Sequence, residues 1–211
     1  MTLSTLVAFA AMAALLIMSP GPNGVLLAKT VPTSGKAAGF ANIAGFVVAF
    51  FLHGAFAIFG LSVLLLQSAN LFTAVKLAGA AYLIWIGVKA LRDAWRGLPS
   101  ALVNVAPARR RRTLLKAFGE GFLTNALNPK VAMFYIAAFP QFVPHDGVSA
   151  GAAFLLVGTH AALNMMWFGP IVLLFDRLSG LGRGGRVQRY VRGVTGMVFV
   201  GFGIKLATLR P

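Results

Sequence analysis

Asn125-Ala126-Leu127-Asn128-Pro129-Lys130 stands close to the middle of an apolar run covering 114–142. A proline inside a helix removes a backbone donor and clashes with the preceding turn, at a cost of about 3 kcal/mol. A helix over 114–142 is therefore expected to break here, with Pro129 at the first position of the helix that restarts. A second interruption, Ser19-Pro20-Gly21-Pro22-Asn23, falls inside an apolar run over 4–28, where two prolines around a glycine should unwind the chain. A proline kink without unwinding is the plainer alternative.

Around the two interruptions the chain is apolar almost throughout. Of its 211 residues 58% are hydrophobic and 11% charged, with a mean hydropathy of +0.82, whereas a soluble domain carries about 25% charge. At about 20 apolar residues per membrane helix, the runs 4–28, 37–66, 70–91, 114–142, 149–175 and 189–208 read as six spans. The expectation is a single all-α integral membrane domain over 1–211. Irregular backbone at membrane depth survives only where protein or a water-filled cavity covers it, so two breaks at comparable depth favour a functional site. With no cysteine, disulfide frameworks, iron–sulfur clusters, thiolate zinc sites and thiol redox chemistry are excluded.

A net charge of +15 on a soluble chain would suggest nucleic acid. Here fifteen of the 19 basic residues collect in or beside the connections between apolar runs: Lys29 and Lys36; then Lys89, Arg92, Arg96, Arg109 to Arg112 and Lys116; then Arg177, Arg183, Arg186, Arg189 and Arg192. If six spans alternate, these groups share one side, and Lys76, Lys205 and Arg210 belong to the other. The positive-inside rule places the crowded side in the cytoplasm and both termini outside it. The run over 3–17 lacks the basic n-region of a signal peptide, so it reads as a retained span. A five-span version, with residues 1–36 on the cytoplasmic surface, is the alternative.

The segment 93–113, with Pro99, Pro107 and its arginines, separates a first half over about 1–92 from a second over about 114–211. Pro22 and Pro129 lie 107 positions apart, and so do His53 and His160. Three spans per half would insert the second copy upside down, the inverted repeat of many secondary transporters, whose substrate site lies near the midplane where the halves meet.

Lys130 stands out because a lysine at the bilayer centre costs at least about 2.5–3.5 kcal/mol. Beside a restarting helix its ammonium suits a carboxylate; neutralisation by Glu120 or by backbone carbonyls is the structural reading. Pro22 and Asn23 would supply the partner helix end. Lys116, Glu120, Thr124 and Asn128 recur every four residues and so share a helix face leading from the cytoplasm to the break. A Lys116–Glu120 surface pair is the plain account of its lower end. Glu120 is the only acid well inside a span, because Asp93 and Asp176 fall at cytoplasmic ends and Asp146 in an outer loop.

His53 and His160 sit mid-span. Both are proton-coupling candidates, or else ordinary interhelical hydrogen-bonding residues. No metal site is expected from two histidines on separate helices, no cysteine and one interior acid. Tyr82, Trp85, Tyr135 and Trp167 would wall a bound side chain or simply pack. Gly193, Gly196, Gly201 and Gly203 suit close packing of the last span. An intramembrane enzyme is disfavoured because no nucleophile triad or paired interior acids appear.

Met18-Ser19-Pro20-Gly21-Pro22-Asn23, the run from Lys76-Leu77-Ala78-Gly79 to Tyr82-Leu83-Ile84-Trp85-Ile86-Gly87, and Gly121-Phe122-Leu123-Thr124-Asn125 leading into Asn128-Pro129-Lys130 together resemble the LysE/RhtB family of amino-acid exporters. The likeness extends over nearly the whole chain. It implies a carrier of about six spans in the bacterial inner membrane that moves amino acids outward on the proton gradient, with no cofactor. The motifs it carries over to a substrate site are Pro20, Gly21 and Pro22, and Asn128, Pro129 and Lys130; Asn23 at the partner helix end, Thr124 on the polar face and Tyr82 in the aromatic wall complete the expected substrate-binding set. Asn23, Asn128 and Glu120 would take the ammonium of a zwitterion. Expected partners are the amino acid, protons and lipid, with a homodimer left open and no nucleic acid. A divalent-cation exporter and a small-solute channel are the rival readings.

Overall fold

The computed structural model describes residues 2–60, 69–97, 111–143, 150–174 and 185–208. All regular structure among them is helical. Arg109, Arg110, Asp146, Asp176, Arg177 and Arg183 lie outside the described residues, as do the side chains of Lys76, Arg186, Arg192 and Lys205.

Helix α1 (Leu3–Met18) starts at Thr2, whose hydroxyl accepts from the Thr5 amide at 3.2 Å, and stops at Ser19. Three residues later α2 (Pro22–Ala55) begins with Pro22 at its first turn. The expected run over 4–28 is thus two helices. Within α2 the chain turns a corner at Gly35 (φ 83°, ψ 177°), a left-handed conformation that glycine adopts without a Cβ penalty. What the sequence offered as a basic loop around Lys29 and Lys36 is a one-residue corner between two helical limbs. The second limb runs on through a wide turn, Phe56–Gly60.

Helix α3 spans Ala69–Trp95. The run over 114–142 is broken as expected: α4 (Leu114–Ala126) ends, and α5 (Pro129–Met133) restarts behind Asn128. A wide turn (Phe134–Ala138) and a tight one (Phe139–Phe142) carry α5 onward. Helices α6 (Ala150–Leu173) and α7 (Gly185–Thr208) follow.

Length matters for how these elements meet a bilayer. Taken with its continuation to Gly60, α2 is long and apolar enough to cross one, as is α6. At 16 residues α1 reaches only about 24 Å, short of the roughly 30 Å hydrocarbon core. It needs the limb after the break to complete a crossing, and α4 likewise needs α5. Large apolar side chains face outward on every long helix, among them Val7, Phe51, Trp85, Leu123, Met166 and Met197. Water would not tolerate so continuous an apolar exterior; lipid does.

Between helices the contacts are close and depend on small residues, as expected where apolar burial gives no gain over lipid. The second limb of α2 lies against α4 with backbones nearly touching: a Cβ on Gly45 would collide with the main chain of Phe118 and Phe122, and one on Gly121 with that of Asn42. Helices α3 and α7 pair the same way, since a Cβ on Gly87 would meet the Gly196 carbonyl at 2.8 Å. Gly196 and Gly203 face α3, whereas Gly193 and Gly201 face open space, so half of the expected glycine set packs. The core gathers Phe9 and Met12 of α1, Phe46 and Phe50 of α2, Phe134, Tyr135 and Phe139 after α5, and Leu156 and His160 of α6. Helix α1 therefore packs one face into the bundle core, while Leu3 and Val7 on its other face point outward.

Candidate functional site

The two breaks meet. Asn128 caps α5, its Oδ1 accepting from the Lys130 amide at 3.1 Å, which fixes the first turn and aims the Lys130 side chain away from α4. Its Nζ donates to the Ser19 carbonyl at 2.9 Å. That carbonyl is one of those left without an intrahelical partner where α1 stops, so the ammonium of the second break rests on the negative end of the first. A Cβ on Gly21 would lie 3.7 Å from the same Nζ. One of the three ammonium donors is thereby used. Among the described residues no carboxylate pairs with Lys130.

Asn125, in the last turn of α4, ties the arrangement together. Its Oδ1 accepts from Asn23 Nδ2 at 3.0 Å, and its own Nδ2 donates to the Phe46 carbonyl at 2.8 Å. Its carbonyl accepts from the Asn128 amide at 3.1 Å and from His53 Nε2 at 3.2 Å. One asparagine thus joins both breaks to the second limb of α2. Lower down, Asn42 Nδ2 donates to the Ala117 carbonyl at 2.6 Å.

Between the breaks lies a cavity of about 30 Å³, lined on its polar side by Ser19, Asn23, Asn128, Lys130, His160 and Asn164 and on its apolar side by Leu16, Phe50 and Phe168. That is room for about two water molecules, so an occupant of amino-acid size requires the helices to part. His160 is wholly buried, and among the described residues neither ring nitrogen has a partner; Oδ1 of Asn164 and of Asn23 are also buried without one. Behind the cavity the Tyr135 ring lies between two imidazoles, 5.6 Å from His53 at 15° and 5.6 Å from His160 at 9°.

Of the residues picked from the sequence, Gly21, Asn23, Asn128, Lys130 and His160 come together at this cavity. Pro20, Pro22 and Pro129 shape the breaks without lining it. His53 reaches it through Asn125 and Tyr135. Three expectations need correction. Glu120 pairs with Arg112, not with Lys116 or Lys130, because Arg112 folds back over the start of α4 while Lys116 is exposed. The face Lys116, Glu120, Thr124, Asn128 is cut short, because α4 ends at Ala126 and Asn128 belongs to the next helix; Thr124 stays on α4, outside the lining. The aromatic wall is elsewhere: Tyr82 packs on Trp85 with ring centres 5.7 Å apart, Trp167 faces outward, and Phe50 and Phe168 line the cavity instead. Asn125 and Asn164, both visible as amides inside apolar runs, are the residues whose part sequence reasoning underrated.

A helical bundle with an apolar exterior and a charged, polar cavity where two broken helices meet defines a membrane protein built to handle a small polar solute. The family described as LysE type translocator matches residues 14–210, and the chain belongs to it. It is a transporter and not an enzyme. An uncharacterised membrane protein of Bacillus subtilis, YrhP, is 33% identical over 95% of this chain and 97% of its own length. The leucine efflux protein of Klebsiella pneumoniae is 32% identical over 94% of this chain and 92% of its own. The threonine efflux protein of Escherichia coli is 28% identical over 92% and 93%. No solved structure matches the chain at a significant level.

Proposed function

We propose that the protein exports amino acids across the bacterial inner membrane by alternating access, coupled to proton entry, with six spans arranged as two inverted repeats. The observation that carries this reading is Lys130, half-buried at the junction of two broken helices with a carbonyl for company and no acid among the described residues. An uncompensated cation in such a place favours a carboxylate. The first turn of α2 adds the amides of Asn23 and Gly24, which have no intrahelical acceptor and no side-chain cap from Gly21. Relatives that bear the names of leucine and threonine efflux proteins make these two amino acids the first to try. The same lysine repels a divalent cation, which counts against a metal exporter, and a cavity closed to about two waters suits a carrier better than a channel.

Equivalent positions support the repeat. Gly21 and Asn128 both cap a restart, Pro22 and Pro129 both occupy its first position, and His53 and His160 flank one tyrosine ring, each pair 107 residues apart. Topology is supported by two contacts between basic segments. The Arg112 amide donates to Ser34 Oγ at 3.0 Å, and Arg189 donates to the Trp95 carbonyl at 3.2 Å, contacts that support placing the first, third and fifth connections on one side.

The test is counterflow of a panel of labelled amino acids into proteoliposomes, with and without a pH gradient. Accumulation of at least one amino acid, increased by an inward proton gradient, is the expected result. Single-channel currents in place of counterflow overturn the carrier. For orientation, Arg111→Cys in this cysteine-free chain is expected to resist an impermeant thiol reagent in intact cells and to react in inverted vesicles.

A further inference from the structure

The polar lining of the cavity is of two kinds. Donors are Lys130 Nζ and the opening amides of α2. Acceptors with no donor among the described residues are Oδ1 of Asn164, Oδ1 of Asn23 and, in the neutral ring, one nitrogen of His160, all buried and all lining the same space. Buried polar atoms are nearly always satisfied, and three unsatisfied acceptors around one cavity call for an occupant that brings donors. An ammonium group carries three. His160 and Asn164 are four residues apart on α6 and so project from one face, while Asn23 holds its position through Asn125.

We infer that His160, Asn164 and Asn23 form the subsite for the substrate's ammonium group, and that a proton and this ammonium compete for the imidazole of His160. The inference rests on the amino-acid reading above and fixes the direction in which a zwitterion lies, carboxylate toward Lys130 and ammonium toward α6. Competition follows from the chemistry of the ring. Neutral imidazole offers a lone pair to an N–H donor, whereas imidazolium has none and repels a cation. The groups facing His160 reinforce the exclusion: His53 on α2 across the Tyr135 ring, Lys130 on α5, and from α1 and the core only the rings of Phe9, Phe50 and Phe134. No acid faces it among the described residues to hold a proton and an ammonium at once. Protonation from the outer side therefore ejects the ammonium, and release of that proton to the cytoplasm readies the site for the next. One proton enters for each zwitterion exported.

Equilibrium binding of radiolabelled L-leucine, L-threonine and N-acetyl-L-leucine to the purified full-length protein tests this. N-acetyl-L-leucine keeps the carboxylate and lacks the ammonium. The wild type is expected to prefer at least one free amino acid to it by tenfold or more. That affinity should weaken as falling pH begins to populate imidazolium, in a scan from about pH 8 down to about pH 4. Asn164→Leu and His160→Phe are expected to lose the preference while still binding N-acetyl-L-leucine, which also reports that they are folded. His160→Gln keeps an acceptor without a titrating proton; it should retain most of the preference and lose the pH slope. Preference and slope that persist in His160→Phe and Asn164→Leu overturn the subsite and leave the exporter reading standing. A wild type that binds none of the free amino acids of the counterflow panel overturns both.

Discussion

The two breaks are alike in backbone and unlike in chemistry. Each ends one helix, spends two or three residues uncoiled and restarts at a proline. The first offers only main chain at its turn: a glycine cap without a side chain, the Ser19 carbonyl and free amides. The second brings the side chains, an asparagine that caps and a lysine that crosses to the first break. Position for position, Gly21 faces Asn128 and Asn23 faces Lys130 across the 107-residue offset. Duplication of one hairpin would give two equivalent half-sites; this pair is polarised, with the charge from one half and main chain plus the neutral amide of Asn23 from the other. A symmetric cradle would suit a symmetric ion, whereas an unequal one suits a solute with a head and a tail.

That contrast is most directly broken at Lys130. Lys130→Met keeps the length and removes the charge. A buried charge interaction of about 2–5 kcal/mol is then lost to the substrate, so counterflow is expected to fall by about 100-fold or more while the purified protein keeps a normal thermal midpoint. Activity within a few-fold of wild type would mean that the second break has no greater chemical role than the first. The reciprocal change, Gly21→Ala, adds a methyl in ordinary contact with Nζ and is expected to weaken transport far less.

A second prediction separates packing from chemistry. Gly121→Ala drives a methyl into the Asn42 backbone, and overpacking of this kind costs about 1–3 kcal/mol. Gly193→Ala enters open space. The first is expected to lower the detergent unfolding midpoint by several degrees and the second to leave it in place. Equal midpoints would contradict the close approach of α2 and α4.

The breaks themselves were legible because proline chemistry is local: Pro22 and Pro129 dictate a restart whatever surrounds them. Lys130 was legible because a charge in an apolar run is conspicuous. What lay beyond the sequence were facing relations. Nothing in the residue order said that Glu120 would meet Arg112 in place of Lys116, since both lie within reach of its side chain and tertiary geometry chooses. The stripe ending at Asn128 failed because a four-residue period holds only while the helix continues, and Leu127 ends it. Tyr82 and Trp167 look like a wall because aromatics suit both lipid and core equally well. Only contacts distinguish them from Phe50 and Phe168.

Asn125 joins the two breaks, so it reports whether they act as one unit. Asn125→Ala removes the acceptor of Asn23 and the donor to the Phe46 carbonyl together, leaving buried polar groups unpaired at about 1–3 kcal/mol. Both stability and transport are expected to drop, transport by roughly tenfold, and Asn125→Asp is expected to rescue neither fully because it retains the acceptor and loses the donor. If transport falls with no change in midpoint, the asparagine serves the substrate more than the junction.

The smallest effect is expected at Glu120. It is the sole acid deep in an apolar run and therefore the first proton carrier a reader of the sequence would choose, yet it stands outside the cavity lining and is paired with Arg112 near the basic side. Pairs of this partly exposed kind contribute about 0–1 kcal/mol, so Glu120→Gln is expected to change the counterflow rate by less than about fivefold. The stimulation by an inward proton gradient should persist, because the groups at the junction that can exchange a proton, His160 and His53, remain. Loss of that stimulation in Glu120→Gln, with counterflow itself intact, would move proton coupling from the junction of the breaks to the cytoplasmic end of α4, and the polarity of the two breaks would then govern substrate binding alone.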